Sequence, residues 1–123
     1  MVVFSDLRNL ICLEERFLPF IETIEDRNIA TFVGYYDALC DAPLTLKQLF
    51  LLNLGSVATI QRRLARLVAA GIIVKRRDMS DRRNVTLHLS SEMTRTYQRY
   101  GAAFRAANAS GERGKPQQRV KPG

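Results

Sequence analysis

Apolar residues at Leu7, Leu10, Ile11, Phe17, Leu18, Ile21 and Ile24 recur by threes and fours, the spacing of one helical face. Pro19 interrupts that face and predicts either a kink or a division into two helices, since proline lacks the backbone donor and crowds the preceding turn. A second amphipathic stripe, Ile29, Phe32, Val33, Tyr36, Leu39 and Cys40, follows Asn28 as its expected cap and stops at Asp41-Ala42-Pro43. Thr45-Leu46-Lys47-Gln48 has the layout of a capping box, with Leu49, Phe50 and Leu52 on the buried side of a short helix. After the break Asn53-Leu54-Gly55, Ser56 is placed to cap a further helix with Val57, Ile60, Leu64, Leu67 and Val68 as its buried stripe. Gly71 suits the left-handed position that ends it.

The periodicity then changes from helical to alternating. Ile72 to Arg77 has β-branched strand character, and Asn84 to Leu89 alternates with Val85, Leu87 and Leu89 on one side. A polar loop, Asp78 to Arg83, joins them. Ser90 or Ser91 begins a last helix with Met93, Tyr97, Tyr100 and Phe104 as a narrow seam. Beyond about Asn108 apolar content almost vanishes, and a disordered basic tail is expected. Two helices joined by a short glycine-containing turn, followed by a strand-loop-strand, predict a mainly α protein with a small β-hairpin wing, a winged helix-turn-helix. The organisation expected is N-terminal helices over 1–42 for dimerisation and support, a DNA-binding core over 43–90, a C-terminal helix over 91–107 and the tail over 108–123.

Charge sharpens this picture through its distribution. The chain has 123 residues and a net charge of +7. Residues 1–41 carry eight acids and three bases, whereas 55–89 carry eight bases and two acids, so one stretch is built to face an anion. Two cysteines are too few for a disulfide framework, no signal peptide opens the chain, and no apolar run nears the roughly 20 residues of a membrane span. A cytoplasmic protein is expected, without a membrane partner.

Stepping about 100° per residue from Ile60 puts Ala58, Thr59, Arg62, Ala65 and Arg66 opposite the buried stripe. Short side chains let a helix approach the floor of the major groove while arginines reach guanine edges or phosphates. The expected DNA-binding set is Ser56, Ala58, Thr59, Arg62, Arg63 and Arg66 on the helix, with Arg77, Asp81, Arg82 and Arg83 on the hairpin. Arg82 is read as the tip residue for the narrow minor groove, with Asp81 and Arg83 as its support.

Leu46-Lys47-Gln48-Leu49, Ser56-Val57-Ala58-Thr59-Ile60-Gln61-Arg62-Arg63-Leu64, Leu67-Val68-Ala69-Ala70-Gly71-Ile72-Ile73, Asp78-Met79-Ser80-Asp81-Arg82-Arg83 and Val85-Thr86-Leu87-His88-Leu89-Ser90 together resemble the winged-helix core of MarR-type transcription regulators. The resemblance implies a homodimer on a palindromic site in double-stranded DNA, with the Ser56 to Ala70 helix in the major groove and the wing in the minor groove. Family members usually close with two C-terminal helices, and the second is not legible here. Dimerisation is therefore expected on Leu10, Phe17 and Ile24 and on the Tyr97, Tyr100 and Phe104 seam, unless these stripes are intramolecular core.

Other chemistry finds little support. Relatives bind small aromatic compounds near the position of Phe32, Tyr35 and Tyr36, but clustered aromatics are more often core than pocket. Cys12, flanked by Ile11 and Leu13, is read as a buried inert thiol. The single histidine, His88, is expected exposed or partly buried on the sheet, and neither a Ser/His/Asp arrangement, a metal spacing nor a phosphate loop is visible, so no enzyme, cofactor or metal is expected. The competing readings are a winged-helix protein-interaction module and a nonspecific nucleic-acid accessory factor, including one for double-stranded RNA.

Overall fold

The computed structural model describes residues 2–81 and 83–118, with side chains through 109. It contains α1 (Val2–Phe17), α2 (Ile24–Leu39), β1 (Leu44–Thr45), α3 (Leu46–Leu51), α4 (Val57–Ala69), β2 (Ile73–Arg77), β3 (Val85–Leu89) and α5 (Ser91–Gln118). These elements fall into two compact units, residues 21–94 and residues 1–20 with 95–123.

Residues 21–94 form the winged helix-turn-helix. Their core is Ile29, Ala30, Val33, Leu44, Leu49, Ile60, Leu64, Leu67, Ile73, Leu87 and Met93, contributed by every element of the unit. The antiparallel sheet has the order β1-β3-β2, with Leu44 opposite Leu87 and Ile73 opposite Leu89. The third strand was not expected: two residues are too few to show a period, and pairing with β3 defines them. Gly34 of α2 lies where a Cβ would stand 3.0 Å from Leu89 Cδ1, so glycine permits the close approach of α2 to β3.

Local signals set most boundaries. Thr45 and Gln48 close both bonds of the expected capping box, at 3.1 and 2.9 Å. Asn53 takes the left-handed conformation after α3, and Ser56 accepts from the Thr59 amide to start α4. At the end of α4, Gly71 has φ +77°, its amide donates to Val68 O and that of Ile72 to Leu67 O. Both bonds of a Schellman ending are thus made. Ser90 is the cap of α5, its Oγ accepting from the Met93 amide.

The start of α2 differs from the expectation. Its cap is Thr23 rather than Asn28, because Thr23 and Asp26 form a reciprocal box one turn earlier. Ile24 is consequently the first residue of α2 and exposed, not part of the first helix's stripe. Val57, expected in the buried stripe of α4, is exposed in the first turn.

In the other unit, α1 ends at Phe17 and Pro19 divides rather than kinks. Phe17 lies 6.3 Å from Tyr100, Tyr100 stands edge-on to Tyr97 at 6.1 Å, and Asn9 Nδ2 donates to Asn108 Oδ1, so α1 runs antiparallel to the 97–108 stretch of α5. Burial, with Tyr100 and Glu14 adding to it, pushes the Tyr97 hydroxyl well above its ordinary pKa. No residue of α1 is fully buried, and Phe4, Leu7 and Ile11 stand exposed on it. Helix α5 continues to Gln118, where a disordered tail from 108 was expected; Ala102, Ala103, Ala106, Ala107 and Ala109 favour helix up to that point, and Gly111, Gly114 and Pro116 lie within its last stretch. Residues 119–123 of that expected tail lie outside the described residues.

Candidate nucleic-acid interface

Helix α4 packs through Ile60, Leu64 and Leu67, which leaves Ala58, Gln61, Arg62, Ala65 and Ala69 exposed. Ser56 is exposed and Thr59 half-buried, their hydroxyls 2.9 Å apart at the start of the helix. Arg62 projects into solvent and forms no ion pair among the described residues. Gln61, outside the expected set, joins this surface; about 100° from Ile60, it lies at the margin of the face opposite the buried stripe.

Arg63 and Arg66 turn elsewhere. They lie about 60° and 120° from Ile60 on the flank of α4 that meets the start of α2. Arg63 donates through Nε to Asp26 Oδ1 at 2.8 Å and through Nη2 to Asp26 Oδ2 at 2.7 Å, a bidentate pair, and reaches Glu22 Oε1 at 3.1 Å. Arg66 places Nη1 3.2 Å from Asp26 Oδ2 and Nη2 3.0 Å from Glu22 Oε2. Asp26 is fully buried and also accepts from the Glu22 and Thr23 amides. Burial alone would raise its pKa; the Arg63 hydrogen bonds, those amides and the Arg63 charge outweigh it and hold the carboxyl below its ordinary value. Reciprocally, the hydrogen bonds to Asp26 and then Glu22 push the Arg63 guanidinium further above its usual pKa. The helical projection could not anticipate this, because the acids lie some 40 residues away in sequence.

The hairpin loop is organised by two aspartates. Asp78 accepts from the Ser80 hydroxyl at 2.7 Å and its amide at 2.9 Å, and these bonds lower its pKa. Asp81 accepts from the Arg83 amide at 3.1 Å and from Nε at 3.3 Å, the pairing expected from the sequence. Asn84 N to Asp81 O and Asp78 N to Asn84 O close the base of the loop. Lys75, Arg76, Arg77 and Arg83 are exposed along this hairpin. Arg82 lies outside the described residues.

His88 is held on β3, with Nδ1 3.0 Å from Asp37 Oδ1 and Nε2 2.9 Å from Thr86 Oγ1. This hydroxyl-imidazole-carboxylate row was invisible in the sequence, where Asp37 is remote. The Thr86 hydroxyl donates to Arg76 O at 3.3 Å, so the row ties α2 and both hairpin strands together. Tyr35 and Tyr36 meet edge to face at 5.9 Å, with Tyr35 exposed. Cys12 is exposed rather than buried: among the described residues no neighbour covers its side of α1.

No family model matches the sequence, and no curated protein does. Solved structures do. The transcriptional regulator PA4135 superposes with a TM-score of 0.58 at 12% identity over 97% of this chain and 85% of its own. MarR superposes at 0.50 with 17% identity, covering 97% and 92%, and a MarR-like transcription regulator from Bacillus cereus at 0.53 with 15% identity, covering 97% and 85%. At such identities the likeness rests on architecture, and the chain has the winged helix-turn-helix fold of the MarR-type transcription regulators.

Proposed function

We propose that this protein is a sequence-specific regulator that binds double-stranded DNA as a homodimer on a palindromic site. The observation that carries the reading is the outward face of α4, where Ala58, Ala65 and Ala69 leave room around Gln61 and Arg62, in the same unit as a hairpin exposing Lys75, Arg76, Arg77 and Arg83. In the major groove, Arg62 suits a bidentate contact with guanine and Gln61 one with adenine, while Ser56 and Thr59 at the helix start suit a phosphate or base edge. The hairpin enters the minor groove, with Asp81 holding Arg83 in place and Arg82 as the inserted side chain.

Dimerisation is assigned chiefly to α1. Tyr97, Tyr100 and Phe17 meet within one chain, whereas Phe4 (67% exposed), Leu7, Leu10 and Ile11 (56% exposed) form an apolar face that a second copy would cover.

Selection of duplexes from a random pool, with molecular mass measured by light scattering in the same buffer, tests the reading. A dimer that enriches a palindrome with half-sites about one helical turn apart is the expected result. A monomer that enriches nothing would shift the function to protein interaction or nonspecific binding.

A further inference from the structure

Four side chains at the α2-α4 contact form a neutral cluster, two carboxylates against two guanidiniums, on the helix assigned to the major groove. Carboxylates accept a guanidinium fork as phosphates do. The four differ in access to water: Asp26 is 0% and Arg63 16% exposed, whereas Arg66 is 29% and Glu22 58% exposed. Parting Arg63 from Asp26 would strand a buried charge, a costly step. The Arg66-Glu22 arm lies nearer solvent, where an ion pair has little net worth and can be exchanged.

We propose that Glu22, with Asp26 behind it, is a specificity-determining residue that substitutes internally for phosphate and withholds Arg66 from the DNA backbone. This rests on the DNA-binding reading and adds a device to it. Each phosphate neutralised raises affinity for every sequence alike through counterion release, whereas base contacts raise it for one. Keeping two arginines of α4 engaged internally therefore lowers nonspecific binding and leaves discrimination to Gln61, Arg62 and the hairpin.

The test is the salt dependence of binding to a random-sequence duplex, read by fluorescence anisotropy between 50 and 200 mM salt, for the intact chain and the variants E22Q, R66A, E22Q/R66A and R62A, each checked for fold by circular dichroism. E22Q removes the solvent-side carboxylate of the two that hold Arg66, leaving only the Asp26 contact at 3.2 Å, and should steepen the slope of log K against log salt by up to about 0.9, the value for one further phosphate. R66A should leave the slope unchanged, and in the R66A background E22Q should have no effect, which separates release of Arg66 from a general change in charge. R62A should make the slope shallower if Arg62 touches a phosphate and leave it unchanged if Arg62 reads only a base. An R66A slope shallower by about 0.9 would overturn the proposal by making Arg66 an ordinary phosphate contact, while the regulator reading stands. Should E22Q lose its fold, the R66A slope decides alone. An unmodified chain that binds no duplex even at low salt defeats the regulator reading itself, and this proposal with it.

Discussion

Asp26 shows how much one buried carboxylate can organise. It completes the cap of α2, receives Arg63 in bidentate fashion and touches Arg66, so one side chain fixes the start of one helix and the flank of another. D26N should cost about 2–3 kcal/mol in chemical unfolding, below the figure for a fully buried pair because Arg63 keeps some contact with water. Because the folded carboxyl titrates below its unfolded value, its contribution is complete above about pH 4 and disappears as the pH falls through the lowered folded value. Acid titration of stability should accordingly show a shallower low-pH decline in D26N than in the parent, with parallel curves between pH 5 and 7. Arg62, by contrast, is exposed and forms no ion pair among the described residues. R62A should leave the melting temperature within error and weaken binding to a selected site by about 1–3 kcal/mol.

The elements are held by their ends as much as by their packing. Gly71 needs its positive φ to close the Schellman ending, so G71A should destabilise by about 1 kcal/mol or somewhat more although a Cβ there would meet no atom within 4 Å. Leu67, fully buried on α4, should cost about 2–5 kcal/mol on truncation to alanine, and hydrogen exchange should show α4 and the sheet loosening together, since Leu67, Ile73 and Leu87 share one core. The hairpin loop depends on its aspartates instead of apolar contacts. D81A should leave overall stability nearly unchanged yet weaken DNA binding, as Arg83 loses the carboxylate that positions it.

For the molecule as a whole the informative surface is α1. Helix α1 has 16 residues, none fully buried, and Phe4, Leu7 and Ile11 stand exposed on it. The double variant L7E/I11E should convert a dimer to a monomer in light scattering and lower affinity for a palindrome far more than for a single half-site. Retention of the dimer would move the interface elsewhere. Charge follows the same logic of allocation: the acids of the N-terminal stretch partly meet the bases of the central one at Glu22 and Asp26, so the uncompensated basic surface is smaller than the linear count suggests.

Most of the architecture was legible because its determinants are local. Thr45 with Gln48, Ser56, Gly71 and Ser90 mark helix ends through atoms within three residues, and the apolar periods of α4 and β3 reveal which faces are buried. Where two local signals competed, the earlier capping box prevailed, and α2 begins at Ile24 rather than after Asn28. Long-range placement was not legible. A projection of α4 groups Arg62 with Arg66, but only the packing of α2 against α4 brings Asp26 to Arg63 and Arg66 and leaves Arg62 outside. The two-residue strand β1 and the row from Asp37 through His88 to Thr86 depend likewise on partners distant in sequence. The sequence by itself determined the helices, the hairpin and a basic central segment, since caps and periodicity act over a few residues. Which arginines face outward was decided by tertiary structure alone, because a buried carboxylate claims whichever guanidinium the fold brings to it.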